Sequence, residues 1–401
     1  MATSFLNGED ILVITEGYWD TAKRIRHKMP MQWARAGARV LWIEQSPFPD
    51  AKLLRPGVLQ RSLRGDLREV EPSLYVAAMP PALPFMYKSG CRGDAMKALQ
   101  RPVYIRRLKR YLRQLDFHPR VVVLFQQAAR HDIFDLFNDA VRVYYHHDVY
   151  GYGYATPAQE RTLEKCCKKA DMVFCVAQEH RDVLVTFNPN THFIPHAVDE
   201  HWFEAHRAES PAAYREIPSP RLVYTGVFQE KLDLPLLIEI AGRRPNWQQV
   251  FVGPIEPKNL DRALIDTLSG FGNVHLLGER DVDALPGFME GATALMLPYL
   301  PTGNMASAGL SLKFFEYLIS GKPIVVAPYT KMQVSDRLYY LADGIDAWTA
   351  MMDRLLDGDG DARRKERIAA AMENTYRARL DTQMALLAPL LGDTSTADSD
   401  N

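Results

Sequence analysis

The segment Ser311–Pro328, SLKFFEYLISGKPIVVAP, carries the residues best spaced for chemistry. It predicts a helix start, an amphipathic helix, a glycine stop at Gly321, then Pro323 and a buried strand. Lys313 falls in the first turn and Glu316 three residues on, so both side chains share one face. A lysine beside the unpaired N–H groups of a helix start suits a diphosphate, and a glutamate one turn deeper can accept the hydroxyls of a ribose. The same spacing also fits a plain surface ion pair, and residue types alone leave both readings open. A second cluster, Val143-Tyr-Tyr-His-His-Asp148, ends a strand with groups able to take a proton. Successive side chains of a strand point to opposite faces, so only one of His146 and His147 can face a ligand. A third cluster is Glu16-Gly17 followed by Lys23, Arg24, Arg26 and His27. There Gly17 allows close backbone approach and the cations suit a diphosphate, or else form a solvated helix face.

These groups need elements to hold them. Short runs of β-branched and apolar residues recur, each followed by a longer stretch at helical spacing. In the first half they are Ile11–Thr15, Val40–Glu44, Leu74–Ala78, Val121–Phe125, Val141–Tyr145, Met172–Val176 and His192–Pro195. In the second they are Leu222–Thr225, Val250–Val252, Val274–Leu277, Ala294–Leu297, Ile324–Ala327 and, more weakly, Leu338–Leu341. Such runs suit strands buried on both faces of parallel sheets, so the chain reads as two doubly wound α/β domains. The expected division is a first domain at 1–205, a polar, proline-bearing linker at 206–220 and a second domain at 221–360. Helices at 361–391 would pack back across the first domain, and a small polar tail at 392–401 would be disordered.

Length and composition agree with this. The chain has 401 residues, 47% hydrophobic and 24% charged, in the range of globular proteins. A formal net charge of −1 argues against a nucleic-acid coat, although the sum conceals +6 over residues 1–200 and −7 over 201–401. Four cysteines without a CxxC pair suit a reduced compartment. The first residues lack the pattern of a signal peptide, and no run is apolar enough to span a bilayer, so a cytoplasmic location is expected. No histidine pairs with a cysteine at ligand spacing, and no metal site is expected. Asp357-Gly-Asp-Gly-Asp361 lacks the later residues of a calcium loop and reads as a surface turn. Asp281-Val-Asp283 reads as charge placed at a helix start, with a metal-binding DxD as the alternative.

In order along the chain, the motifs resemble group 1 glycosyltransferases of the two-domain GT-B fold. The Lys313…Glu316-Tyr-Leu…Gly321-Lys-Pro-Ile-Val-Val stretch is similar to the segment those proteins lay against a donor nucleotide. Leu222–Gly226 with Leu232–Leu236, Trp247–Pro254 and Asn273–Gly278 resemble the donor domain's opening strands. Ile194–Phe203 resembles the segment that ends the acceptor domain. Details such as His196 and Gly278-Glu-Arg280 look closest to xanthan-type glucuronosyltransferases and related polysaccharide enzymes.

The resemblance implies two Rossmann-like domains facing a central cleft. It further implies a nucleotide sugar, UDP-linked by preference, held by Gly226, Glu279, Arg280, Tyr299, Ser311, Leu312, Lys313 and Glu316. No metal or other cofactor is implied. A glycan or polyprenyl-diphosphate-linked acceptor would meet Gly17, Arg24 and Arg26, with Asp148 as general base and His147 in support. One departure is Ala308, which stands where common members have a second glutamate on the sugar. This leans the expectation towards inversion at the anomeric carbon. A nucleotide-sugar 2-epimerase on the same fold and a non-catalytic nucleotide-sugar scaffold are the alternatives.

Between Asp94 and Asp116 there are seven basic and no acidic residues. Tyr104, Leu108, Tyr111, Leu112 and Leu115 form one helical arc there, with Arg106, Arg107, Lys109, Arg110 and Arg113 on the other. Residues 97–115 therefore read either as a helix for an anionic membrane surface, giving peripheral attachment at the inner face of the cell membrane, or as an ordinary helix packed on the first sheet.

Overall fold

The computed structural model describes residues 6–21, 23–47, 57–83, 91–147, 156–205, 211–256, 260–301, 310–330, 332 and 334–392. The chain forms two units, Met1–Ile194 with Arg377–Asn401, and Pro195–Tyr376.

In the first unit, β1 (Asp10–Ile14), β2 (Arg39–Ile43), β3 (Leu67–Glu71), β4 (Leu74–Ala77), β5 (Val121–Phe125), β6 (Val141–His146), β7 (Met172–Cys175) and β8 (Thr191–Phe193) form one sheet. Its order is β3-β4-β2-β1-β5-β6-β7-β8, parallel except for the β3–β4 pair. The strand β3 is absent from the sequence-based expectation. Its residues LREVE are partly exposed throughout, as suits an edge strand with no continuous apolar run. Alternate residues of the central strands serve opposite faces. Ile11, Val121, Val123, Val143 and Tyr145 line a small cavity with Trp33 and with Met384 and Leu387 of the helix Tyr376–Leu391. Leu12, Ile14, Val122, Leu124 and Tyr144 pack with Tyr104, Leu108 and Tyr111 of the helix Cys91–Leu115. The arc considered for a membrane is therefore spent on the core, at roughly 1.5–3 kcal/mol per large apolar side chain, and Leu112 and Leu115 pack at its margin.

In the second unit, β9 (Arg221–Thr225), β10 (Gln248–Val252), β11 (Val274–Leu276), β12 (Ala294–Leu297), β13 (Ile324–Val326) and β14 (Tyr340–Leu341) form a parallel sheet in the order β11-β10-β9-β12-β13-β14. The Ser311 segment takes the predicted form. A helix at Leu312–Ser320 ends on Gly321, whose φ of 65° is left-handed, and β13 follows.

The units divide about ten residues before the expected linker. Val198 pairs with Thr375 in a parallel bridge, which ties the stretch after Pro195 into the second unit. Nor are residues 211–220 a loose tether. Tyr214 is 4% exposed, donates a hydrogen bond to the Phe288 carbonyl at 2.8 Å and lies under the Arg221 guanidinium. The C-terminal helices part company too. Asp361–Glu373 stays with the second unit, where the fully buried Arg367 donates to the Gly321 carbonyl at 3.0 Å and pairs with Asp359. Asp359 thus gives the Asp357–Asp361 turn a structural task. The helix Tyr376–Leu391 returns to the first unit, where Gln383 accepts from Trp33 Nε1 at 3.1 Å and the Leu391 carbonyl from Arg120 at 2.8 Å.

Candidate functional site

Strand order locates the ligand positions before any side chain is considered. In an open parallel sheet the crevice lies beyond the carboxyl ends of the two strands where the winding reverses. Those strands are β9 and β12 in the second unit and β1 and β5 in the first.

Gly226 follows β9, Gly253 follows β10 and Gly278 follows the β11 segment, with φ of 131°, 150° and 72°. Gly226 and Gly253 touch. A Cβ at Gly253 would run into the Gly226 carbonyl, and Gly253 N–H donates to the Gly278 carbonyl at 2.9 Å. Above Gly226 lies the stem of Lys313, which a Cβ there would strike at Cε and Nζ. Two residues 87 positions apart are thus in direct contact because glycine has no side chain. The Lys313 ammonium also stands 5.8 Å from the centre of the Tyr224 ring.

One turn further along the same helix face, burial pushes the Glu316 carboxyl upward while the Lys313 charge pulls it back. Ser311 is the N-cap, yet its hydroxyl caps nothing, and its buried Oγ has no hydrogen-bond partner among the described residues. Its N–H points to the Tyr329 hydroxyl at 3.4 Å. Leu312, first residue of that helix, is partly exposed. Glu279 and Arg280 are exposed just past the Gly278 turn, with Arg280 donating to the Glu279 carbonyl at 2.9 Å. Tyr299 differs from the expectation of a nucleotide contact. It is 1% exposed, edge-on to Tyr224 and Tyr329, and supports the strand end from beneath. Asp281 takes the role expected of a helix start by accepting from the Asp283 N–H at 3.0 Å. Ala308 lies outside the described residues, and no cluster of three metal-ligating side chains occurs among those described.

In the first unit, Gly17 follows β1 and His147 follows β6. Between them lies Glu16, a residue to which sequence reasoning attached no role. Its carboxylate stands 3.7 Å from Arg26 Nη1 and 3.8 Å from His147 Nε2. A Cβ on Gly17 would sit 2.6 Å from Arg26 Nε, so glycine there again makes room for a cation. Gln126, after β5 and at φ 54°, accepts the His147 N–H at 2.9 Å and fixes that residue's backbone. The two histidines diverge as alternation requires. His146 is fully buried, edge-on to His180 and 3.2 Å from the Tyr144 hydroxyl, and burial holds its pKa well down. Arg24 is exposed at the start of the helix Ile25–Arg35. His27 behind it is neutral by construction. Its Nδ1 accepts the Arg24 N–H, its Nε2 donates to the Tyr18 carbonyl, and burial lowers its pKa to about 3. Asp148 lies outside the described residues.

Comparison with known proteins agrees with this picture. The model of the family described as glycosyl transferases group 1 matches residues 219–357. A Bacillus subtilis (strain 168) protein, provisionally named as the teichuronic acid biosynthesis glycosyltransferase TuaH, is 28% identical over 212 residues, which is 50% of this chain. The match spans about half the length of that relative, 52%. Among solved structures, a glycosyltransferase from Rickettsia africae ESF-5 superposes with a TM-score of 0.67 at 10% identity, covering 96% of this chain and all of that one. HepE of Anabaena, solved with UDP and glucose, gives 0.60 at 13% identity over 94% of this chain and 98% of its own. WaaG, a glycosyltransferase of lipopolysaccharide biosynthesis, gives 0.58 at 13% identity over 94% and 99%. The chain has the α/β GT-B fold of these structures, and its residues 219–357 match the group 1 glycosyl transferases.

Proposed function

We propose that this chain transfers a sugar from a UDP-sugar to a glycan or lipid-linked glycan acceptor during assembly of a polysaccharide. The observation that carries the reading is the convergence of Gly226, Lys313 and Glu316 at the strand ends of the second unit. A cation, the open N-terminus of a helix, an unsatisfied hydroxyl at Ser311 and a carboxylate one turn deeper are what a nucleoside diphosphate needs. HepE, of the same fold, was solved with UDP, and the name of the Bacillus relative places it in teichuronic acid biosynthesis.

In this reading Lys313, Ser311 and the Leu312 N–H hold the diphosphate, Glu316 accepts the ribose hydroxyls, and Glu279 with Arg280 flank the base. The first unit binds the acceptor through Arg24, Arg26 and the backbone at Gly17. Asp148 takes the proton of the acceptor hydroxyl, whose oxygen forms the bond to the anomeric carbon. The bond from that carbon to the phosphate breaks, and UDP departs with the electron pair. Lys313 and the helix N-terminus carry the new charge, so the reaction as proposed calls on no metal. The stereochemical course is inversion, with His147 orienting Asp148. His196 and the Gly278-Glu-Arg280 turn favour the xanthan-type glucuronosyltransferases as the nearest subgroup.

Calorimetric titration of UDP, GDP, dTDP and CMP into the wild type and Lys313→Ala tests the donor half. UDP is expected to bind and to lose at least about tenfold in affinity in the variant. Binding by none of the four, or unchanged UDP affinity in the variant, would overturn the proposal.

A further inference from the structure

A groove of about 200 Å³ opens on the first unit where three elements meet, and none of the residues assigned to donor or acceptor lines it. Lys97 and Arg101 come from the helix Cys91–Leu115, Arg130, His131 and Asp132 from the 3-10 segment Ala128–Leu136, and Thr162 from the helix Pro157–Lys169. The lining thus carries three cations and one acid.

The two arginines are each held by a contact that leaves donors unspent. The chain kinks at Arg130 (φ −105°, ψ 20°), whose guanidinium lies over the buried Tyr104 ring, 3.9 Å from its centre. Stacking fixes the plane of the guanidinium and uses none of its N–H groups. Among the described residues the Arg130 side chain makes no hydrogen bond or ion pair. Arg101 is steered by Asp132, which accepts from its Nε at 2.7 Å. The one acid of the groove is therefore engaged, and the Nη groups of Arg101 bond to nothing among the described residues. His131 keeps a buried Nδ1 with no hydrogen-bond partner among the described residues, which is costly unless a ligand meets it. Burial lowers the pKa of this ring, and the charge of Lys169 acts in the same direction, so the imidazole is neutral and Nδ1 can carry a proton to donate. Lys169 itself is taken by Asp135 at 2.6 Å and is not part of the lining.

We infer that this groove binds a phosphate group, with Arg101 and Arg130 clasping its oxygens, Lys97 adding charge and His131 Nδ1–H completing the shell. Three cations against one acid leave a surplus of two positive charges over the lining, which a phosphate monoester matches and a carboxylate does not. Two planar forks on separate elements meet a tetrahedral anion from different sides, whereas a carboxylate fills a single fork. The volume falls below the ~300–1,000 Å³ of a pocket for a drug-sized ligand, so it suits a phosphate with part of the sugar that bears it rather than a nucleotide. That phosphate comes from the acceptor glycan or from a free phosphorylated compound, and the groove reads the same chemistry in both. The inference stands apart from the proposed sugar transfer, because phosphate binding needs neither donor nor acceptor.

Titration of inorganic phosphate into the full chain with isotope-labelled histidine, followed by NMR slightly above neutral pH, tests it. The His131 ring signals, identified by their loss in His131→Gln, are expected to shift with half-saturation near about 1 mM. Acetate should require at least about tenfold more. Arg130→Gln is expected to weaken the phosphate effect at least about tenfold, and Arg101→Gln, on a different helix, gives a second reading with the same expected loss. Unchanged thermal melting would verify that the variants fold. Absence of any His131 shift up to about 10 mM phosphate, or a shift undiminished in both arginine variants, overturns the inference. The source is read from turnover. Competition between phosphate and acceptor that disappears in Arg130→Gln assigns the group to the acceptor. A change in turnover that acceptor does not relieve, and that disappears in the same variant, assigns it to a free phosphate compound.

Discussion

The strand ends of the two sheets offer different kinds of pocket. In the second unit the site is shaped by missing side chains. Gly226 and Gly253 are packed so closely that a methyl group on either meets backbone or the lysine stem, and the polar groups follow one another on a single helix turn. In the first unit the site is a charge network. Glu16 gathers Arg26 and His147 from elements 10 and 131 residues away, and Gly17 adds crowding against Arg26. The contrast suits a constant ligand on one side and a variable one on the other. A steric cradle reads the shape of a nucleotide, whereas dispersed, exposed charge can be revised residue by residue for another acceptor.

That comparison can be broken. The largest expected effect is on turnover: Asp148→Asn should reduce transfer by roughly 1,000-fold while UDP affinity stays within a few-fold, measured by product formation and calorimetry together. Turnover near that of the wild type would remove Asp148 as the base. Next is Gly226→Ala. A Cβ at φ 131° combines backbone strain with collision against Lys313, and a loss of about 2 kcal/mol in UDP binding, roughly 30-fold, is expected. An unchanged affinity would mean that the cradle is not steric.

The third concerns acid. A histidine whose folded pKa lies below its unfolded value stabilises the fold fully above the unfolded pKa, and that stability is lost as pH falls from about 6.5 towards 3. Fully buried His27 should cost the first unit about 2 kcal/mol at pH 5 relative to pH 7, and His146 adds to the loss in the same direction. Melting followed across that range should show the first unit yielding before the second, and His27→Gln should flatten the dependence. Coincident melting of both units at every pH would contradict it. The smallest effect is for Glu16→Gln, which should raise the KM for acceptor about fivefold with UDP binding unchanged; a change in UDP affinity instead would place Glu16 with the donor.

Much of this was readable in the chain, and the exceptions have physical causes. The Ser311–Pro328 segment was legible because its cap, turn, glycine stop and strand are all local signals. The buried strands announced themselves as apolar runs, and β3 escaped because an edge strand needs none. Glu16 escaped because its partners are set by strand order, which no short window contains. Periodicity found both faces of the Cys91–Leu115 helix, but it could not say whether the apolar arc would meet the sheet or a membrane. Tyr299 follows a strand that ends at the expected place, yet Tyr224 and Tyr329 close over its ring. The division between units was misplaced because the linker's prolines and charges hide Tyr214, a single aromatic anchor.

The return of the last helix has a consequence for how the protein is made. The second unit is one continuous stretch, whereas the first needs Arg377 onward to be whole. On a ribosome, Trp33 is made 350 residues before Gln383, the partner of its indole N–H. The second unit can therefore close before the helix Tyr376–Leu391 leaves the tunnel, and the first must wait for that helix with part of one sheet face uncovered. The half of the molecule that is synthesised first is the half that finishes folding last.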